Sequence, residues 1–140
     1  MLKINRQTDY AVRVVLALSQ RGEGIRVSSA EVQREMLIPK AFMGRIVAQL
    51  AQANLILTFP GRDGGLQIAH DPQKITLKDV VEAFEGPVLI SDCIISQGDK
   101  DCPFIHSCPV TSKWARVQAA MLREMKSIIF SDMVKESLAL

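Results

Sequence analysis

Three cysteines, the only ones in the chain, fall within sixteen residues as Cys93-x8-Cys102-x5-Cys108. Thiolates are the preferred ligands of iron–sulfur clusters and of zinc, so three on one short segment point to metal chemistry. Either centre needs a fourth donor. His106 lies between the last two cysteines, His70 stands at the end of a strand-like run, and Asp9 is a more distant candidate. The residues after Cys93 include Ser-Gln-Gly-Asp-Lys-Asp, too polar for these cysteines to read as small buried hydrophobes. A metal-free thiol–disulfide switch is the other use of such a set. No Cys-x-x-Cys pair is present, which speaks against a thiol oxidoreductase.

The elements that must position these residues follow from the patterning. At 140 residues the chain suits one domain, or one small domain with an interaction element. It is 48% hydrophobic and 23% charged, ordinary for a soluble protein. No apolar run is long enough for a membrane span, and the polar start shows no signal peptide. A cytoplasmic protein with reduced thiols is expected. The net charge of +2 is unevenly spread: residues 1–65 carry nine Lys/Arg against five Asp/Glu, and residues 66–140 carry eight against ten. A basic N-terminal half suits contact with phosphates.

A first helix is predicted from Thr8, with Ala11, Val14, Val15 and Leu18 on one apolar face and Gly22 and Gly24 ending it. Ser28-x-x-Glu31 is a capping-box pattern opening a short second helix. Pro39 suits the first position of a third helix, which buries Phe42, Ile46 and Leu50 and stops at a left-handed Asn54. Strand-like runs Leu55–Phe59 and Leu66–Ala69 flank Pro-Gly-Arg-Asp-Gly-Gly, a hairpin signal. Thr76-x-x-Asp79 caps a fourth helix. The segment from Glu85 to Cys108 lacks periodicity and reads as a loop. A long helix follows from Pro109, with Val110, Trp114, Val117 and Met121 in one stripe, and Ser131 opens a last short one.

Helix, short helix, tight turn, helix and hairpin is the order of a winged helix-turn-helix, whose third helix enters the major groove. The expected fold is therefore mainly α with a small β-hairpin wing. Arg45 can pair bidentately with guanine and Gln49 with adenine. Lys40 suits a phosphate, and Arg62 at the hairpin tip suits a minor groove or the backbone. Lys3, Arg6, Arg26 and Arg34 can add phosphate contacts. The sequence shows no nucleophile–base constellation and no phosphate loop, so catalysis is not expected.

In this order the motifs resemble the Rrf2 family of bacterial regulators, over nearly the whole chain. The resemblance lies in Thr8-Asp9-Tyr10-Ala11-Val12-Arg13, Leu37-Ile38-Pro39, Gly61-Arg62-Asp63-Gly64-Gly65-Leu66, Val80-Val81-Glu82-Ala83-Phe84-Glu85 and Cys102-Pro-Phe-Ile-His-Ser-Cys108-Pro. It implies a winged helix-turn-helix over residues 1–84, a cluster-binding loop over 85–108, and a dimerisation helix with a C-terminal tail over 109–140. It implies a homodimer that reads double-stranded DNA at a palindromic operator. It also implies an iron–sulfur cluster on Cys93, Cys102 and Cys108, [4Fe–4S] ahead of [2Fe–2S], with zinc as the alternative. Such a regulator would sense redox state, nitric oxide or iron–sulfur status. In NsrR-type members an aspartate of the other subunit's first helix completes the site, and Asp9 matches it. His106 stands second. IscR-type members use a histidine where this chain has Thr111, and an acidic residue where it has Gly44.

Overall fold

The structure, a computed structural model, describes residues 3–62, 64–94 and 102–138. The first helix, α1, spans Arg6–Arg21. It starts two residues before the expected Thr8, because the Asn5 side chain accepts the Gln7 N–H and caps the first turn. Thr8 is instead a buried polar residue inside the helix. Gly22, at φ 87°, ends α1 as its N–H returns to the Leu18 carbonyl.

The second helix, α2, spans Ser29–Glu35, and the third, α3, spans Lys40–Gln52. Ser28 caps α2 by accepting the Glu31 N–H at 3.1 Å. Glu31 does not close the box; its carboxylate lies 3.6 Å from the Arg21 guanidinium, which also pairs with Glu35. The turn between these helices passes through Leu37 at φ 53°, a left-handed position that costs a leucine about 1 kcal/mol. Pro39 stands just ahead of α3 rather than in its first position. Asn54, at φ 60°, is the expected left-handed stop.

Strands β1 (Ile56–Phe59) and β2 (Gly65–Ile68) form the antiparallel wing, with Ile56 opposite Ile68 and Phe59 opposite Gly65. Val27 joins its open edge through two backbone bonds with Leu66, of 2.9 and 2.8 Å. Helix α4, Leu77–Glu85, opens with a complete capping box: Thr76 accepts the Asp79 N–H, and the Asp79 carboxylate accepts that of Thr76.

The long helix α5 spans Thr111–Ser127 and follows Pro109 by two residues. Helix α6, Phe130–Leu138, begins ahead of Ser131. Backbone pairing fixes its start: the Phe130 N–H donates to Ile75 O at 3.0 Å, and the Leu77 N–H to Ile128 O at 2.9 Å. Phe130 then enters the core beside Val14, Leu18, Ile46, Leu50 and Val80. The core thus lies between α1, α3, α4, α6 and the inner face of the wing. By contrast α5, which packs along α4, has no buried residue.

Candidate nucleic-acid interface and thiol site

Helix α3, the expected recognition helix, is fixed by one face. Met43, Ile46 and Leu50 are buried, with Phe42 and Val47 packed at the margin. Tyr10 of α1 meets Phe42 edge-on with ring centroids 5.5 Å apart, bracing the helix start. Lys40, Ala41, Gly44, Arg45 and Ala48 are left exposed, as the helical period requires. Gln49 behaves differently. It is half-buried, and its side-chain amide donates to the Ala83 carbonyl of α4 at 3.3 Å. Arg62 is exposed at the wing tip, while Asp63 beside it lies outside the described residues. Lys3, Arg6 and Arg34 are also exposed. Arg26 stacks on the wing, its guanidinium carbon 3.6 Å from the Phe59 ring centroid.

Two connections could not be anticipated from the apolar pattern. Arg13 donates to the Asp9 carboxylate at 2.7 Å through one nitrogen and to the Met36 carbonyl at 3.3 Å through another. It therefore ties the first turn of α1 to the bend that leads into α3. The i, i+4 spacing of Asp9 and Arg13 was the only sequence signal for it. Glu85, the last residue of α4, accepts the Asn5 N–H at 2.8 Å and the Thr8 hydroxyl at 2.7 Å. It thereby anchors the root of the cysteine segment to the start of α1.

The three thiols are free. Cys93 lies in a single helical turn, Asp92–Ile94, with its sulfur 2.8 Å from the Ser91 hydroxyl. Cys102 opens the second described part of the expected loop; residues 95–101 between them lie outside the described residues. Cys108 stands ahead of α5. The Thr111 hydroxyl, and after it the backbone N–H groups of Thr111 and Val110, hold its thiol below the usual range. Site-resolved alkylation across pH checks this: Cys108 should react at lower pH than an ordinary thiol, and Thr111→Val should move its midpoint up.

The donor chemistry suits a thiolate-bound metal centre, with three free thiols on one connection, that of Cys108 held below the usual range. Among the described residues, however, no three His, Cys, Asp or Glu side chains of a single chain converge to metal-binding distance. Asp9 is paired with Arg13, and His106 is exposed in the turn before Cys108.

A family model described as an iron-dependent transcriptional regulator, Rrf2, matches residues 4–136. The chain belongs to the Rrf2 family. It is thus a transcriptional regulator rather than an enzyme, and the hairpin is its wing. The Rrf2 chain is 28% identical over 134 residues to protein aau3 of Rhizobium meliloti, covering 96% of this chain and 86% of that one. It is 24% identical over 139 residues to the HTH-type transcriptional regulator NsrR of Geobacillus kaustophilus, covering 99% and 94%. Its fold is similar to that of CymR, the global cysteine regulator of B. subtilis, with a TM-score of 0.78, 20% identity and coverage of 97% and 98%. Among the described residues no helix is long and apolar enough to cross a membrane.

Proposed function

We propose that this Rrf2 regulator is a cytoplasmic homodimer whose affinity for a palindromic operator is set by an iron–sulfur cluster on Cys93, Cys102 and Cys108. The observation that carries the reading is the three free thiols between α4 and α5 in a chain of a family described as iron-dependent. A [4Fe–4S] centre is favoured over [2Fe–2S]. The fourth donor is Asp9 of the second subunit, with His106 as the alternative. The bound cluster would supply iron whose ligation responds to redox state or nitric oxide.

The chain's own residues provide the coupling. Glu85 holds the root of the cysteine segment to Asn5 and Thr8. Asp9, next to Thr8, shares Arg13 with the Met36 carbonyl. Withdrawing Asp9 from Arg13 loosens one end of that bridge. The other end holds the bend at Leu37, which sets the angle of α3. A change at the loop thus reaches the reading head through two side chains. Lys40, Arg45 and Arg62 contact DNA directly, supported by Lys3, Arg6 and Arg34.

The apolar stripe of α5 supports the dimer. Val110, Trp114 and Val117 are 49%, 43% and 47% exposed in the single chain, an apolar surface that a second copy would cover.

A metal-free thiol switch is the second reading, favoured by the lowered Cys108 thiol and by the likeness to a cysteine regulator. Iron and acid-labile sulfide, counted on protein purified without oxygen, separate the two. The cluster reading predicts about four irons per chain, or about two for [2Fe–2S]. It also predicts their loss in Cys102→Ala. Zinc alone would replace the cluster by a structural metal, and absence of any metal would leave the thiol switch.

A further inference from the structure

Arg26 lies just outside the elements that carry the recognition residues, yet its surroundings are built. The neighbouring Val27 is tied to Leu66 by paired backbone bonds, so the Arg26 backbone runs along the edge of the wing. Gly65 faces Phe59 across the hairpin, and its φ is +153°. A Cβ on Gly65 would lie 2.8 Å from the Val27 carbonyl oxygen and 3.7 Å from the Arg26 Cβ. The missing side chain therefore lets the Arg26–Val27 segment close onto the wing, as glycine in a strand often does. The Arg26 guanidinium then reaches Phe59, 3.6 Å from the ring centroid. Stacking covers one face of the guanidinium and leaves the N–H donors around its edge available.

Among the described residues no carboxylate pairs with Arg26. Arg13 and Arg21 spend their donors on carboxylates within the chain. Arg26 itself is exposed. Phe59 and Arg62 both line a groove of about 300 Å³ between the wing and Val47 of α3. A cation with its rotamer set in advance loses less freedom when it binds an anion than a mobile lysine does.

We propose that Arg26, stacked on Phe59, is a preset phosphate clamp beside the turn of the wing, holding the DNA backbone that passes between wing and recognition helix. This rests on the DNA-binding reading and adds a positioning device to it. Phe59 acts only through Arg26, and Gly65 only by giving them room.

The test is binding of the full-length dimer to a short random-sequence duplex over a salt series, by fluorescence anisotropy. Arg26→Ala should weaken binding on the order of tenfold and reduce the slope of log K against log salt by about 0.9. Arg26→Lys should keep the slope and lose part of the affinity, since the charge stays and the stacked fork goes. Phe59→Leu should weaken the wild type but leave Arg26→Ala unchanged, because the two act as one unit. Unchanged affinity and slope in Arg26→Ala would overturn the clamp, as would a Phe59→Leu effect of equal size in both backgrounds. Wild-type protein that fails to bind any duplex sinks the DNA reading itself, which is a distinct result.

Discussion

Replacing Trp114 by Glu is expected to convert the proposed dimer to monomers and to weaken operator binding at least about a hundredfold. Linking two reading heads raises the effective concentration of the second by a factor on the order of a hundred to ten thousand, and a monomer forfeits that gain. Trp114 is the largest side chain of the α5 stripe, and no residue of that helix is buried in the single chain. A groove at the stripe's far end, about 360 Å³ in volume, extends the apolar surface through Ile4, Val81, Leu89 and Met121. A carboxylate at position 114 would have to be desolvated twice in a symmetric interface. Sedimentation equilibrium and anisotropy on one operator duplex read both effects. A Trp114→Glu protein that remains dimeric at the same concentration would place the interface elsewhere.

The second large effect is on stability. Phe130→Ala should destabilise the fold by about 3–5 kcal/mol, the cost of emptying a fully enclosed aromatic site. Phe130 is 0% exposed, and its N–H is bonded to Ile75 in front of α4. Helix α6 also packs on α1. Urea melts should show a lower midpoint with an unchanged slope. A loss below about 1 kcal/mol would make α6 a peripheral tail rather than part of the core of the reading head.

These two sites also mark where the sequence was and was not legible. The caps at Ser28 and Thr76, the left-handed Asn54 and the hairpin could be read because their determinants lie within a few residues. The stripe on α5 could be read because a helical period repeats along it. The bonds that join elements could not. Thr8 meets Glu85 across 77 residues, Gln49 meets Ala83 across 34, and Arg13 reaches Met36 across 23. Nothing local distinguishes Gln49 from a residue facing outward, since the α4 carbonyl it meets is placed by tertiary packing. The return of Phe130 to the core was hidden for the same reason. The thiol site was legible as chemistry, because residue type and spacing define a donor set. The geometry of the proposed centre depends on closing a long connection and, in the reading proposed above, on a donor from a second subunit, which linear spacing does not encode. Thr111 illustrates this: a poor metal ligand by type, it stands in the first turn of α5, where it lowers the Cys108 thiol.

In the proposed regulator the centre on the three cysteines changes DNA affinity. The direct measurement is Kd for one operator duplex, at one fixed salt, with the anaerobic metal-loaded dimer and with the same dimer after metal removal. Coupling of the usual size predicts Kd values that differ about 5- to 150-fold. Arg13→Ala should shrink that ratio, because it cuts the connection from Asp9 to the Met36 carbonyl. Equal Kd values for the two forms would show that the centre does not set DNA affinity.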